Sequence, residues 1–221
     1  MIRQIVDWSE VWATCIPLTV YIIKKPKDNY IQPVVYYLCM AFLLNLLIDV
    51  PWKFYYKVPV VQSILGYNNF FYNLHSVIRM FFLMWFFAKL RITTKYRSRL
   101  LLYLLAACFI ITFIFLEPID TFSSQTFTLE GIVLIILCIL YFLKRLRSDE
   151  VITSFDASLY IVTGLAIYEA VCFPIFLFYD MLMEKTEDYA VSIWDVHNIA
   201  YIVFCLFIAR ALYGNLRHTQ Q

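Results

Sequence analysis

The sequence predicts an all-α fold, a polytopic membrane protein whose single domain (residues 1–221) is a bundle of seven transmembrane helices. Hydrophobic residues make up 62% of the chain and charged residues only 15%. Soluble domains contain about 45–50% apolar and about 25% charged residues. A soluble core of this size has no room for so many large apolar side chains, so lipid is expected to surround much of the surface.

Seven segments approach the roughly 20 apolar residues that a helix needs to cross a bilayer. Their approximate bounds are 4–23, 33–52, 69–90, 100–117, 126–145, 157–181 and 193–214. The fourth is the clearest, because LLLYLLAACFIITFIFL (100–116) contains no charge. The first contains Asp7 and Glu10, and it is counted because Trp8 and Trp12 fit an aromatic belt at the membrane surface.

The basic residues between these segments alternate between two sides of the predicted bundle. One side has Lys24, Lys25, Lys27, Lys89, Arg91, Lys95, Arg97, Arg99, Lys144, Arg145, Arg147 and Arg217, and the other has Arg3, Lys53, Lys57 and Lys185. Because short cytoplasmic loops carry the excess of Lys and Arg, the N-terminus is expected outside and the C-terminus in the cytoplasm of a bacterial inner membrane. The positive charge therefore indicates topology and predicts no nucleic-acid partner.

Ionisable residues inside the apolar segments are the first candidates for a functional site. A charge at the centre of a membrane helix costs about 2.5 kcal/mol or more, so it needs a partner or a function. Arg79 in the third segment and Glu169 in the sixth both fall near the middle of the membrane. An ion pair between them is predicted, either as a structural link between two helices or as the charged floor of a cavity.

Further polar residues lie on the outer side of that pair and predict an outward-facing pocket for a small polar ligand. With Arg79 and Glu169, the predicted ligand-binding residues are Asn45, Asp49, His75, Asp195, His197 and Asn198. Asp7, Glu10, Glu130 and Asp180 are expected around its rim. An alternative remains open for the last segment, in which Asp195 caps the start of the helix and His197 is an interfacial residue.

No enzymatic activity, cofactor or metal site is predicted. His75 and His197 fall on one side of the membrane and His218 on the other, which excludes a three-histidine zinc site. The last segment has Arg210 but no lysine that could form a Schiff base with retinal. All six cysteines fall inside the apolar segments without a CxxC pair, which favours packing over disulfides or zinc binding.

Two segments resemble a family of uncharacterised integral membrane proteins that is widespread in the Bacteroidota. FFYNLHSVIRMFFLMWFF (70–87) and WDVHNIAYIVFCLFIARALY (194–213) are similar to the third and the final helix of that family, whose genes often neighbour histidine kinases and response regulators. The matching residues are Tyr72, Asn73, Trp194, His197 and Asn198. Arg79 stands where the family usually has a glutamate, and Ala200 or Tyr201 where it has an asparagine. The resemblance implies a membrane location and no particular activity.

These observations favour a receptor-like or sensory protein of the inner membrane. Its expected partners are the lipid bilayer, a small polar ligand and a separate protein that receives the signal. A small-solute transporter is an alternative, because the third and seventh segments share a pattern typical of a three-plus-one-plus-three architecture. A structural or assembly subunit of a membrane complex is a third alternative.

Overall fold

The computed structural model describes residues 2–26, 28–55, 68–92, 94–117, 121–147, 156–183 and 187–214. Within these ranges the regular elements are all helices and no strand is present, which confirms the predicted all-α class. The helices are α1 (Ile2–Asp7), α2 (Ser9–Lys24), α3 (Gln32–Tyr55), α4 (Asn68–Lys89), α5 (Lys95–Ile111), α6 (Ser124–Arg147), α7 (Ala157–Leu177), α8 (Tyr179–Met183) and α9 (Glu187–Gly214).

Five of the described helices are long and apolar enough to cross a membrane. Their apolar stretches are Asn69–Lys89, Arg99–Leu116, Ser124–Arg147, Ala157–Leu177 and Ser192–Gly214. The apolar part of α3, Gln32–Ile48, is shorter, and α2 has only 16 residues. The chain therefore has the character of a multi-pass membrane protein. The count of seven spans and the orientation of the termini stay predictions.

Two of the predicted segments are each divided between two helices. The first is divided at Trp8, which separates α1 from α2, and the Trp12 indole N–H donates to the Ile5 carbonyl across the break (2.8 Å). The sixth is divided at Phe178, between α7 and α8. Pro174 lies in the last turn of α7 and removes one backbone donor there, a usual cause of an early helix end.

The helix α9 has the most extensive interfaces of the described bundle, and its main neighbours are α7 and α2. Its face toward them is fully buried at Phe204, Cys205 and Ile208. Gly164 of α7 allows a close approach, because a Cβ atom at that position would lie 2.5 Å from Cβ of Phe207. Small residues that let helix backbones approach are typical of membrane interfaces.

The helix α5, which continues as a π-helical turn over Thr112–Leu116, lies at the periphery. Leu105, Phe109 and Thr112 are buried against the bundle, at spacings of four and three residues. Most of its other apolar side chains are exposed, among them Tyr103 and Phe115. Such an extensive apolar surface is stable only against lipid or another protein.

Side chains near both ends of α4 and α6 join these two helices. At one end the side-chain Nδ2 of Asn73 donates to the Thr121 carbonyl (2.8 Å), and the Ser123 N–H donates to the side-chain Oδ1 of Asn73 (3.1 Å). At the other end the Lys144 ammonium donates to the carbonyl of Arg91, just beyond α4 (3.0 Å). Both helix ends thereby gain partners for polar groups that a helix leaves unpaired.

The start of α7 is held by Asp156. Its carboxylate accepts hydrogen bonds from the N–H groups of Ser158 (2.9 Å) and Leu159 (3.4 Å), which is an N-cap. The same carboxylate lies 2.7 Å from the guanidinium of Arg145 near the end of α6. Cap and ion pair together fix the angle at which α7 enters the bundle beside α6.

Candidate functional site

Arg79 is the centre of a buried polar cluster between α4, α6 and α7. Its Nε donates to Oε1 of Glu130 on α6 (2.6 Å), and the hydroxyl of Ser76, one turn earlier on α4, donates to Oε2 of the same carboxylate (2.5 Å). Arg79 is 3% exposed and Glu130 is 0% exposed. A buried carboxylate with two donors at such distances is well compensated.

The position of Glu130 corrects its predicted place at the rim of a pocket. Its side chain points into the bundle because the guanidinium of Arg79 is there to compensate its charge. The sequence already indicated that Glu130 needs a buried partner such as Arg79. The cost of a charge inside a membrane helix applies to Glu130 in the fifth apolar segment as much as to Arg79 in the third.

Helix α7 supplies the remaining partners of Arg79. Nη1 donates to the Tyr168 hydroxyl (2.8 Å), and Nη2 lies 3.9 Å from Oε1 of Glu169, too far for a hydrogen bond. Among the described residues, neither Nη2 nor this oxygen of Glu169 has a hydrogen-bond partner. The predicted pair of Arg79 and Glu169 is thus present only as a long contact, and Glu130 is the closer partner. Ser76, Arg79, Glu130, Tyr168 and Glu169 form what we call the Arg79 cluster.

The Glu169 carboxylate lies beside Gly131 of α6. A Cβ atom at position 131 would lie 3.4 Å from Oε2 of Glu169 and 3.5 Å from Phe173. Because α6 carries no side chain there, α7 places its carboxylate close to the α6 backbone. Glu169 is 1% exposed, so this carboxylate is enclosed in the bundle.

A second buried group surrounds His197 on α9. Its Nε2 lies 3.4 Å from Oε1 of Glu10 on α2, and its Nδ1 lies 3.2 Å from Sγ of Cys172 on α7. The Trp194 ring stacks on the imidazole with centroids 5.1 Å apart. Glu10, Cys172, Trp194 and His197 form what we call the His197 cluster. His197 is 6% exposed, so its side chain is packed within the bundle.

Tyr168 connects the two clusters. Its hydroxyl accepts the hydrogen bond from Arg79, and its ring lies 5.6 Å from the His197 ring and 6.0 Å from the Tyr201 ring. Thr14 of α2 donates its hydroxyl to the Glu10 carbonyl (2.7 Å), so the Tyr201 hydroxyl donates to Thr14 (2.8 Å). Polar contacts thus continue from α4 through α7 to α9 and α2.

The remaining predicted residues lie around these clusters. The His75 ring faces Tyr37 of α3 with centroids 6.2 Å apart, and the Asn45 amide donates to the Glu10 carbonyl (3.4 Å). Asn198, which follows His197 in the sequence, is also buried. Within the described ranges, His75 Nε2 and Asn198 Oδ1 are buried without a hydrogen-bond partner. The side chains of Asp49 and Asp180 lie outside the described part of the chain.

Asp195 is not a helix cap. The helix α9 begins at Glu187, so Asp195 lies in its third turn, where backbone N–H groups already have helical partners. Its Oδ1 is buried and finds no hydrogen-bond partner in the ranges that the structure covers. The sequence placed the helix start too late because α9 begins with the charged residues Glu187 and Asp188.

The structure gathers most of the predicted residues into packed clusters, and the outward-facing pocket stays a prediction. Elsewhere in the described part of the chain lie a cavity of about 270 Å³ and a cavity of about 450 Å³. The smaller lies between α4 and α5, beside Trp85 and Arg99, and the larger lies beside Lys144 and Arg147 of α6. Neither is lined by a residue of the Arg79 or His197 cluster. The rings of Tyr168 and Trp194 pack against His197 (centroids 5.6 and 5.1 Å apart).

Comparisons of the chain with protein-family profiles, curated proteins and solved structures gave no match. The resemblance to the Bacteroidota family therefore stays a prediction.

Proposed function

We propose that the protein is a receptor-like protein of a bacterial inner membrane in which the Arg79 and His197 clusters form the ligand-responsive centre. The observation that carries this proposal is the long contact between Arg79 and Glu169 inside a closed polar network. Five helices, α2, α4, α6, α7 and α9, contribute side chains to that network. Polar groups at such depth are costly, and they mark ligand sites and ion pathways in membrane proteins.

The charges of the Arg79 cluster indicate what kind of ligand would fit. One guanidinium faces two buried carboxylates, and Glu130 takes the short contact of 2.6 Å while Glu169 lies at 3.9 Å. A buried carboxylate without a donor is strongly unfavourable. A small ligand with a hydrogen-bond donor or a positive group would satisfy Glu169. Small amines and zwitterions have that chemistry.

Ligand binding would act on the contact between α4 and α7. A molecule that binds Glu169 competes with Arg79 for the same carboxylate and favours a different spacing of these helices. A ligand shifts such an equilibrium only by its difference in affinity for the two arrangements. Because α7 packs along α9 and α6, the change would reach the basic ends of the helices, where a partner protein would detect it.

The proposal is tested by ligand-dependent stabilisation of the purified protein. A panel of small amines and zwitterionic amino acids is added to the protein in detergent. The melting temperature is measured by intrinsic fluorescence, which needs neither a dye nor a thiol reagent. At least one compound is expected to raise the melting temperature of the wild type and not that of Glu169→Gln. Glu117→Gln makes the same chemical change outside both clusters and should keep the response. An equal response in Glu169→Gln would contradict the proposal.

A transporter is the second candidate, and the closure of both clusters favours it. Alternating access passes through a state in which the site is closed to both sides, and the low exposure of Arg79, Glu169 and His197 is expected of such a state. Flux into proteoliposomes separates the two candidates. Accumulation or exchange of a compound that stabilises the protein, lost in Arg79→Ala, would count against the receptor.

A further inference from the structure

The larger cavity lies at the end of α6 that carries all three of its basic residues. Its volume is about 450 Å³, and its lining residues are Ile92, Leu140, Leu143, Lys144 and Arg147. Four of these belong to the last two turns of α6, and Ile92 follows the end of α4. At 1.5 Å per residue, about 10 Å along the helix axis separates Leu140 from Arg147. The cavity thus extends from an apolar wall to a positively charged end.

Lys144 is fixed in place at the charged end. Its ammonium donates to the carbonyls of Leu90 (3.3 Å) and Arg91 (3.0 Å) at the end of α4. An ammonium has three N–H donors, so these two bonds leave one for a ligand. The second cation is the exposed Arg147, and no carboxylate is among the lining residues that the structure describes. The cavity is therefore suited to an anion.

The apolar wall continues along α6 beyond the cavity. Leu140 is 39% and Leu143 43% exposed, and Ile136 and Ile139, one turn earlier, are half exposed. These side chains form one apolar face of α6, which runs from the predicted membrane-spanning part of the helix to Lys144 and Arg147. A ligand that follows it has a long apolar chain and an anionic head. A free phosphate ion would leave the apolar wall without a partner.

We propose that this cavity binds an anionic phospholipid from the leaflet at the basic end of the bundle. The phosphate of the head group contacts Lys144 and Arg147, and the first methylene groups of one acyl chain pack on Leu140, Leu143 and Ile92. Basic pockets beside membrane helices are known to select anionic head groups. This site is separate from the Arg79 and His197 clusters, so it does not depend on the proposed function.

The test measures lipid binding to the purified full-length protein in detergent by native mass spectrometry. Phosphatidylglycerol is compared with phosphatidylcholine that has the same acyl chains, and tighter binding of phosphatidylglycerol is expected. Removing one nearby cation should weaken it about fivefold, and removing two about thirtyfold, as measured for Arg147→Gln and for Lys144→Gln with Arg147→Gln. Arg97→Gln removes a cation from the same predicted side of the membrane without altering the cavity, and it should bind like the wild type.

Three results would overturn the assignment. They are equal binding of the two lipids, an equal loss in Arg97→Gln, and full displacement of phosphatidylglycerol by millimolar inorganic phosphate. The last result would identify a free anion as the occupant. If Lys144→Gln impairs folding, the single variant Arg147→Gln is sufficient for the test. Arg147 is exposed, so its replacement is not expected to disturb the fold. Leu143→Asn should weaken long-chain phosphatidylglycerol more than its dihexanoyl form, and equal losses would contradict contact with the acyl chain.

Discussion

Of the helices α5 and α9, the more apolar one is the less buried one, which is the reverse of the usual relation between hydropathy and burial in soluble proteins. The spanning stretch of α5 is the most apolar of the five, and only 17% of it is buried. That of α9 is less apolar, and 56% of it is buried. In water the most apolar helix takes the interior. In lipid the most apolar helix is the one that can remain outside, and polar side chains mark the interior.

The residues of the two helices explain this difference. Among the described side chains, the buried stripe of α5 consists of Leu105, Phe109 and Thr112, which is enough to hold one side against the bundle. The helix α9 brings His197 and Asn198 inside together with aromatic and small residues. Without a hydrophobic force between helices in lipid, close packing and hydrogen bonds provide the association. The four predictions below test this contrast between interior and lipid-facing positions.

Arg79→Ala is expected to have the largest effect. It leaves the carboxylates of Glu130 and Glu169 buried without their cation, and breaking a buried pair in this way costs about 3–5 kcal/mol. Unfolding in mixed micelles, followed by circular dichroism, measures the loss. Arg210→Ala removes an exposed arginine of α9 that lies over the Tyr160 ring, and it should cost about 1 kcal/mol or less. Equal losses would show that Arg79 is not held by the interior.

Glu130→Gln should cost more than Glu169→Gln. Glu130 accepts hydrogen bonds from Arg79 and Ser76, and a bond to a charged group contributes about 1.5–3 kcal/mol. Glu169 has only the contact at 3.9 Å, so its neutral replacement loses little or even stabilises the protein. The same unfolding measurement ranks the two variants. The reverse order would mean that Glu169 is the main partner of Arg79.

Gly164→Ala should separate α7 from α9 by a small amount. The added Cβ atom would meet Cβ of Phe207 at 2.5 Å, and inserting a methyl group into a packed interface costs about 1–3 kcal/mol. Gly131→Ala is the matched control, because its nearest neighbours are at 3.4 and 3.5 Å, which is ordinary contact. Cross-linking between cysteines introduced on α7 and α9 would report the separation. No difference between the two alanine variants would argue against the close approach.

Leu104→Ala on the lipid-facing side of α5 should have the smallest effect. Leu104 is exposed, and surface substitutions usually change stability by no more than about 0.5 kcal/mol. Leu105→Ala, one residue later, alters the buried stripe and is the matched comparison. Stability in micelles distinguishes them. A large loss for Leu104→Ala would indicate that another protein covers this face of α5.

Much of the fold follows from the sequence, because each of the seven apolar segments coincides with helical residues in the structure. The breaks at Trp8 and Phe178 were not predicted, since hydropathy averages over a window and does not register a single residue between two helices. The early start of α9 at Glu187 was missed for a related reason. Its first residues are polar, and a helix that projects beyond the apolar layer has no hydropathy signal.

The sequence predicted most of the residues of the candidate site. It was a poorer guide to which of them contact one another. The cost of burying Arg79 predicts that a carboxylate compensates it, and the sequence offers both Glu130 and Glu169. Which of the two lies at 2.6 Å depends on how α6 and α7 are rotated, which only tertiary packing decides. The contact of His197 with Glu10 joins residues from opposite ends of the chain, and spacing along the sequence has no information on it.

The links between α4 and α6 have a consequence for how this protein changes shape. Asn73, Arg79 and Lys144 connect the two helices near one end, in the middle and near the other end. Helices tied at three levels resist sliding or rotation against each other, so the pair is expected to move as one rigid body. Any movement of α7 against that pair is then expected to break the hydrogen bond between Arg79 and Tyr168 (2.8 Å) and to change the longer contact between Arg79 and Glu169.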